Sequence, residues 1–356
     1  MKVSIGFKLK KGPWGGGNQF GNALAEELES QGVEVSFDLK RPDLNIILLT
    51  EPRITSLSSA YTDKHILRYL YFTNRDAIVI HRINECDERK NSSTVNAQLI
   101  RANQCADHTV FVGGWLKPLF EGHGLYPKRT SVIHNGSDRS VFNPVGLERW
   151  DGTEPLKLVT HHWSGNWMKG FDIYQQLDKA LAKPEWRDKV EFTYIGNLPN
   201  GFKFENSRYV PPKSGPELAS ELKQHHVYLT ASINEPGGNH QNEGGNCGLP
   251  LLYRNSGCLP EYCEGFGIMF DESSFFEKLG EMRKAYATLA PKMESYPHTS
   301  KRTSTAYVDL FERLMAEKKE ILAGRELFQR PNLWWRAITP INRTQQIRYK
   351  LRKLLK

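Results

Sequence analysis

Short apolar runs alternate with helical stretches along this chain, and the alternation occurs twice. The apolar runs of the first series lie at residues 2–7, 33–37, 44–50, 77–81, 109–112 and 131–135. Those of the second series lie at 156–161, 190–196, 227–230, 249–254 and 267–270. Strands without a polar face, separated by helices, are typical of parallel sheets that helices cover on both sides. The sequence therefore predicts an α/β protein with two Rossmann-like domains.

A stretch rich in proline, glycine and charged residues, 143–155, separates the two series and is predicted to be a linker. We expect one Rossmann-like domain at 1–147, a second at 148–325 and a C-terminal helical segment at 326–356. The length of 356 residues suits two domains. Two such domains would face each other across a cleft, and a ligand would bind there, at the carboxyl ends of the strands.

Composition narrows the class of protein. No apolar run approaches the roughly 20 residues that a membrane-spanning helix needs, and the apolar segment at the N-terminus is too short for a signal peptide. The five cysteines include no Cys-x-x-Cys pair, which disfavours a zinc or dithiol site. We therefore expect a cytoplasmic protein.

Part of the net charge of +8 is concentrated at the C-terminus. Residues 343–356 hold six basic residues and no acidic one, with apolar residues at about helical spacing. A basic amphipathic helix suits an anionic membrane surface. The alternative is a solvated terminal helix that packs on the body of the protein. No nucleic-acid-binding motif accompanies the charge.

A glycine-rich segment, "GPWGGGNQF" (12–20), lies between the first predicted strand and the first helix. Gly15, Gly16 and Gly17 leave backbone N–H groups exposed, and the helix N-terminus that follows favours an anion or a polar ligand. The segment lacks the Gly-x-Gly-x-x-Gly spacing of dinucleotide-binding loops. A tight turn is the alternative interpretation.

The corresponding position of the second series holds "HHWSGNWMKGFD" (161–172). Here Lys169 precedes a helix predicted to begin near Gly170. An ammonium group beside a helix N-terminus is unfavourable unless an anion neutralises both. A diphosphate would do so, whereas the alternative is a solvated lysine.

The segment "NEPGGNHQNEGGNCGLP" (234–250) places Glu235 and Glu243 eight positions apart, after the strand at 227–230. Carboxylates accept hydrogen bonds from sugar hydroxyls, and a short helix would carry Glu243. Taken alone, the segment could equally be a glycine-rich surface loop with solvated acids.

The order of these features resembles the family 4 glycosyltransferases, which have the GT-B fold. The segment at 235–252 resembles their E-x7-E motif, and 255–270 resembles the loop, helix and strand that follow it. The segment "SVIHNGSDRSVFNP" (131–144) resembles the end of their first domain, and "MKGFD" (168–172) their Lys-Gly helix start. The resemblance covers about residues 1–325.

This resemblance implies roles in donor binding. Glu235 would contact the hexose hydroxyls, Glu243 the nucleotide ribose, and Lys169 the diphosphate, whose leaving charge it would stabilise. The backbone at Gly237 and Gly238, with Asn239 beside it, would assist at the phosphates or the sugar.

The resemblance also implies roles for the first domain, which would bind the acceptor. Gly15, Gly16 and Gly17 would form the acceptor-side loop. His81 lies where members carry a histidine that faces the sugar or the acceptor, although a histidine at a strand end is often structural.

Two positions depart from the family pattern. Members usually carry an arginine five residues before the lysine, and this chain has Ser164 at that place in the donor site. The missing guanidinium forfeits a charge-assisted contact of roughly 1.5–3 kcal/mol. His161, His162 or Arg302 could replace it. Glycines also follow Glu243, where they weaken a helix by up to about 1 kcal/mol each.

The resemblance therefore implies a retaining, metal-independent transferase that moves a hexose from a UDP- or GDP-sugar to a glycan or lipid-linked acceptor. Surface polysaccharide or glycoconjugate synthesis, at the inner membrane face, would be its setting. No cofactor is expected, and the sequence has no Asp-x-Asp motif for a metal. The alternatives are a nucleotide-sugar-binding protein with impaired catalysis and another GT-B enzyme, such as a nucleotide-sugar epimerase. The base, the sugar, the acceptor, the linkage and the oligomeric state stay open.

Overall fold

The computed structural model describes residues 1–8 and 16–340. Up to residue 133 it contains β1 (Lys2–Ile5), α1 (Gly16–Ser30), β2 (Glu34–Ser36), β3 (Ile46–Leu49), α2 (Asp63–Phe72), β4 (Ile78–Ile83), α3 (Val95–Asn103), β5 (His108–Phe111), α4 (Leu116–Gly122) and β6 (Thr130–Val132).

The remaining described residues form β7 (Leu156–His162), α5 (Phe171–Leu181), α6 (Pro184–Arg187), β8 (Val190–Gly196), β9 (Arg208–Val210), α7 (Gly215–Leu222), β10 (Val227–Thr230), α8 (His240–Asn246), β11 (Leu251–Arg254), α9 (Leu259–Cys263), β12 (Gly267–Phe270), α10 (Phe275–Leu289), α11 (Ser300–Ala316), α12 (Lys318–Ala323) and α13 (Pro331–Ile338). Short 3₁₀ helices lie at Trp167–Lys169, Glu272–Ser274, Ala290–Ser295 and Leu327–Gln329. Among the described residues, no helix combines the length and the apolar character that crossing a membrane requires.

The chain divides into two compact units. The first contains Met1–Asp87, Ser92–Ile133 and the described residues from Thr303 onward; the second contains Glu88–Asn91 and His134–Arg302. These limits differ from the predicted domains. The segment 143–155 lies inside the second unit rather than between units, because Trp150 packs against that unit's core and its backbone N–H donates to the Tyr286 hydroxyl at 3.1 Å.

The first unit contains a parallel six-stranded sheet with the order β2-β1-β3-β4-β5-β6. Successive residues of β3 face opposite sides of it, as a strand requires. Ile46 and Leu48 pack with α1 and α11 in one core, and Ile47 and Leu49 pack with α2 and α13 in another. Both faces of the sheet are therefore buried, which explains the uninterrupted apolar strands.

The second unit contains a parallel six-stranded sheet with the order β12-β11-β10-β7-β8-β9. Counted along the chain from β7, this is the 3-2-1-4-5-6 order of a Rossmann fold. The order reverses between β7 and β10, which pair at Leu158 and Val227. In such sheets ligands bind at the carboxyl ends of the two strands beside that reversal. The two-sheet α/β fold predicted from the sequence is confirmed.

Candidate functional site

The strand reversal of the second sheet brings together most of the donor-site residues predicted from the sequence. Strand β7 ends at His162, and the 3₁₀ helix that follows ends at Lys169. The loop after β10 carries Glu235, and the short helix α8 carries Glu243, as predicted. The site therefore lies where a doubly wound sheet binds its ligand.

Lys169 and Glu235 form a buried ion pair. The Lys169 Nζ donates to Glu235 Oε2 at 2.5 Å, and the two side chains are only 9% and 5% exposed. Gly170, at φ 98°, follows the lysine directly, and a Cβ there would lie 2.5 Å from the Cβ of Ala231. A glycine is thus required for the Lys169 turn to approach the end of β10 this closely.

A second cation reaches the same carboxylate. The Arg89 Nε lies 3.4 Å from Glu235 Oε1, whereas the Lys169 Nζ donates to Oε2. Burial alone would raise the pKa of Glu235, but Lys169 and Arg89 outweigh it and hold that pKa well below its ordinary value. The carboxylate is therefore charged throughout the physiological range. Sequence reasoning missed Arg89, because "DERK" (87–90) has the appearance of a solvated charged run.

The backbone at Glu235 is held in place by its neighbours. Asn234 has a φ of 51°, and its N–H donates to Ser256 Oγ at 2.9 Å. Gly257 has a φ of 58°, and a Cβ on it would lie 2.5 Å from the Glu235 nitrogen. The carbonyl of Glu235 accepts from the Cys258 N–H at 2.9 Å. A non-glycine residue in the left-handed region indicates that the surrounding structure imposes the conformation.

Glu243 is paired with the end of β7. Its Oε2 lies 2.6 Å from His161 Nε2, and both side chains are nearly buried. The other ring nitrogen, Nδ1, lies 3.0 Å from the Tyr228 hydroxyl. The two hydrogen bonds orient the imidazole, so that Glu243, His161 and Tyr228 form one buried polar chain.

His162 and His240 lie between the two acids. Their ring centroids are 4.6 Å apart, with His240 Nε2 2.8 Å from Thr230 Oγ1 and His162 Nε2 2.9 Å from the Tyr174 hydroxyl. Burial lowers the pKa of each imidazole well below its ordinary value, and at His240 burial outweighs the opposite effect of the Glu235 carboxylate. Both rings are therefore neutral at physiological pH, and the positive charge beside Glu235 belongs to Lys169 and Arg89.

Glycines before and after Glu243 keep side chains out of this tightly packed site. A Cβ on Gly238 would lie 2.6 Å from Gln241 Oε1, and one on Gly245 would lie 2.8 Å from the ring of Tyr296. A Cβ on Gly244 would overlap the ring of Tyr228. The glycines after Glu243 weaken α8 locally, but they allow it to pack directly on two buried tyrosines.

The carbonyls of the loop before α8 are also engaged. The Gly237 carbonyl accepts from Asn135 Nδ2 at 2.5 Å, and the Gly238 carbonyl accepts from Gln241 Nε2 at 2.6 Å. The Asn239 carbonyl accepts from the Glu243 N–H at 2.8 Å. The loop is thus held in one conformation beside Glu235.

Ser164 lies apart from the buried pair. It is exposed, and its Oγ accepts from the Asn166 N–H at 3.3 Å. The residues suggested as replacements for the missing arginine do not supply its charge in this structure. His162 is neutral, His161 is bound to Glu243, and Arg302 is exposed.

The remaining predicted residues belong to the first unit. Gly15 lies outside the described residues, Gly16 begins α1, and a Cβ on Gly17 would lie 3.1 Å from the ring of Phe7. His81, in β4, is fully buried, and its Nδ1 lies 3.0 Å from Asn103 Nδ2. Burial lowers the pKa of His81 to about 3. Its catalytic role stays a prediction.

Metal-ligating residues do not cluster in the described part of the chain. Within residues 1–8 and 16–340, no group of three or more histidines, cysteines or acids has an arrangement that could hold a metal ion.

Solved structures that are similar to this chain include glycosyltransferases. The chain is similar to sucrose-phosphate synthase from Thermosynechococcus elongatus, with a TM-score of 0.62 at 12% identity over 88% of this chain and 99% of that one. The chain is also similar to the catalytic domain of starch synthase IV from Arabidopsis thaliana, bound to ADP and acarbose. The TM-score is 0.60 at 12% identity, over 88% of this chain and 99% of that one. For Anabaena HepE, in complex with UDP and glucose, the TM-score is 0.57 at 12% identity, over 90% of this chain and 99% of that one.

Comparison with protein-family models and with curated proteins finds no match. The structural similarity extends over nearly the whole chain and defines the class of fold. Together with the two parallel six-stranded sheets, it shows that the fold is GT-B.

Proposed function

We propose that this protein is a glycosyltransferase that moves a hexose from a nucleotide sugar to a glycan or lipid-linked acceptor, with retention of anomeric configuration and without a metal ion. The observation that carries the proposal is the Lys169–Glu235 pair, which lies with Glu243 at the strand reversal of a GT-B fold. Solved structures with this fold hold UDP, UDP-glucose or ADP. The spacing of the two acids supports a place among the family 4 enzymes.

In this proposal, Lys169 binds the diphosphate of the donor. Its ammonium is already desolvated and neutralised by Glu235. An incoming diphosphate takes over part of that neutralisation, and Glu235 then accepts hydrogen bonds from hydroxyls of the hexose. As the bond between the anomeric carbon and the diphosphate breaks, negative charge grows on the leaving oxygen, and the buried ammonium stabilises it. We name no side chain as a nucleophile.

Glu243 binds the ribose of the nucleotide in this proposal. Its carboxylate is oriented by His161, which Tyr228 orients in turn. The backbone around Gly237, Gly238 and Asn239 lies between the two acids in the sequence and approaches the phosphates or the sugar. No side chain projects from the two glycines, so a ligand can approach their backbone closely.

The first unit supplies the acceptor side of the reaction in this proposal. The glycine segment at residues 15–17 and His81 contribute to it, with His81 acting as a neutral imidazole that donates or accepts a hydrogen bond. The basic terminal segment 343–356, outside the described residues, attaches the protein to an anionic membrane surface at the inner face. The product belongs to surface polysaccharide or glycoconjugate synthesis.

A panel of UDP-, GDP- and ADP-sugars tests this function. The purified protein is incubated with each donor and with lipid-linked or glycan acceptors, and release of the nucleoside diphosphate is measured. We expect release with one donor class, and a large loss of it in Glu235→Gln, which keeps the shape of the side chain and removes its charge.

Three outcomes would contradict the proposal. Donor binding without release would indicate a nucleotide-sugar-binding protein, and conversion of the donor without transfer would indicate an enzyme such as an epimerase. If Glu235→Gln released the nucleoside diphosphate at the wild-type rate, Glu235 would have no role in the reaction.

A further inference from the structure

Two cations share one buried carboxylate in the second unit. Lys169 Nζ lies 2.5 Å from Glu235 Oε2, and Arg89 Nε lies 3.4 Å from Glu235 Oε1. The Arg89 side chain is 23% exposed and that of Glu235 only 5%. The Arg89 side chain thus lies against Glu235 and is itself partly exposed to solvent.

The charges of the site indicate what this arrangement can bind. Lys169 and Arg89 balance Glu235 and Glu243, and the neighbouring histidines His162 and His240 are neutral. A nucleoside diphosphate brings at least two negative charges into this site. Lys169 also neutralises Glu235, so Lys169 and Arg89 together leave less of this negative charge unbalanced than Lys169 alone would.

Ser164 stands where the resembled family usually carries an arginine, so this source of a second cation is absent. Its side chain is exposed and accepts from the Asn166 N–H within its own turn. The position that carries a guanidinium in the resembled family therefore offers none here. Arg89 provides a guanidinium from an unrelated part of the chain, adjacent to the same carboxylate that Lys169 contacts.

We propose that Arg89 is the second diphosphate-binding cation of this protein and replaces the arginine that is absent at Ser164. The ligand class is a nucleoside diphosphate, free or within a nucleotide sugar. Arg89 and Lys169 bind its two phosphate groups, and Arg89 uses the planar N–H fork that matches phosphate oxygens. This inference rests on the proposed function.

The loop that carries Arg89 is held at its ends. The Asp87 carboxylate accepts from the Ser92 hydroxyl at 2.5 Å and from the Val95 N–H at 2.9 Å, and the Asp87 carbonyl accepts from the Ser92 N–H at 3.1 Å. Inside the loop, Asn91 has a φ of 50°, in the left-handed region. The Glu88 carbonyl accepts from Asn234 Nδ2 at 3.4 Å, next to Glu235. Arg89 is thus positioned by hydrogen bonds on both sides.

Affinity measurements on the full-length protein test this role. The dissociation constants of UDP, GDP and ADP and of the matching nucleosides are measured by calorimetry for the wild type, Arg89→Ala, Arg89→Lys and Lys90→Ala. Lys90 is the exposed neighbour and controls for the loss of one positive charge. We expect Arg89→Ala to weaken binding of the preferred diphosphate about 10- to 100-fold, with nucleoside affinity unchanged. Arg89→Lys should weaken it less, and Lys90→Ala should not change it.

A rescue variant separates a direct contact from a structural one. Ser164→Arg, introduced into Arg89→Ala, restores the guanidinium at the position from which it is missing. Recovery of diphosphate affinity in this double variant supports the proposal.

Three results would overturn the inference. Unchanged diphosphate affinity in Arg89→Ala would overturn the role of Arg89 and leave the proposed function standing. An equal loss for nucleoside and diphosphate would indicate a distorted site instead of a lost phosphate contact. A wild-type protein that binds none of the nucleotides would overturn the proposed function, and this inference with it.

Discussion

Lys169 and Glu235 lie 2.5 Å apart, Nζ to Oε2, with both side chains more than nine-tenths buried. A charge held out of water is stable only beside an opposite charge or a set of hydrogen bonds. Each member of this pair is therefore retained in its charged form by the other. The pair keeps a desolvated ammonium at the carboxyl end of a parallel sheet, where a phosphate-bearing ligand would bind.

Loss of either partner should destabilise the second unit. Lys169→Met leaves Glu235 with Arg89 alone, and Glu235→Gln leaves two cations beside a neutral amide. We expect each to lower the free energy of unfolding by about 3–5 kcal/mol, with Lys169→Met at the lower end. The double variant should lose less than the sum, since it removes both charges. Urea unfolding measures all three variants, and strictly additive losses would contradict the coupling.

Glu243→Gln should weaken the binding of nucleoside and diphosphate alike, whereas Arg89→Ala should weaken only that of the diphosphate. Glu243 is predicted to bind the ribose, so the variant should lose about tenfold in affinity for the nucleoside and for its diphosphate alike. Glu217→Gln, an exposed acid in the first turn of α7, is the matched control. Calorimetry with both ligands measures the effect, and a loss confined to the diphosphate would contradict the assignment.

Gly257→Ala should cost more stability than Gly265→Ala. Both glycines have a positive φ, of 58° and 83°, so both substitutions incur backbone strain of about 1–3 kcal/mol. Only at Gly257 does the new Cβ meet another group, 2.5 Å from the Glu235 nitrogen; at Gly265 it meets nothing within 4 Å. Thermal unfolding is measured for both variants, and the difference between their losses of stability gives the cost of the steric collision. Equal losses would contradict the prediction and show that the loop at Glu235 relaxes freely.

Stability should decrease as the solution becomes mildly acidic. Burial lowers the pKa of His81 from 6.5 to about 3, so between these values the unfolded chain binds a proton that the folded chain does not. The free energy of unfolding therefore falls with decreasing pH below about 6.5, by up to about 1.4 kcal/mol per pH unit from this residue. His162 and His240 act in the same sense. Urea unfolding between pH 5 and 6.5 should show a smaller slope for His81→Asn, and an unchanged slope would contradict this origin.

The basic segment 343–356 should bind anionic vesicles. Removing these residues takes away six positive charges and the apolar positions between them, so co-sedimentation with vesicles that contain phosphatidylserine should decrease. Neutral phosphatidylcholine vesicles are the control. Full-length protein that stays in solution with both vesicle types would contradict the membrane proposal.

Much of the fold could be predicted from periodicity, because a strand buried on both faces must be apolar throughout. The predicted strands at 190–196, 227–230 and 267–270 have the observed limits. The strand predicted at 249–254 begins instead at Leu251, after Pro250, which has no N–H to donate. Helices α2 and α3 were not predicted from the sequence.

The candidate site was predictable where its residues follow strands of one sheet. Lys169, Glu235 and Glu243 come after β7 and β10, and the carboxyl ends of parallel strands share an edge. The glycines at 244 and 245 looked unfavourable for a helix, and only the packing of α8 on Tyr228 and Tyr296 explains them.

The sequence by itself determined the two parallel sheets and the pair of acids after β10, because strand periodicity and local spacing are properties of neighbouring residues. Only the tertiary structure decided which charges meet. It brings Arg89, from a short charged run, to the carboxylate that Lys169 contacts, and it leaves Ser164 exposed. Such a contact depends on how distant segments pack, since the energy of a buried charge is set by its three-dimensional neighbours.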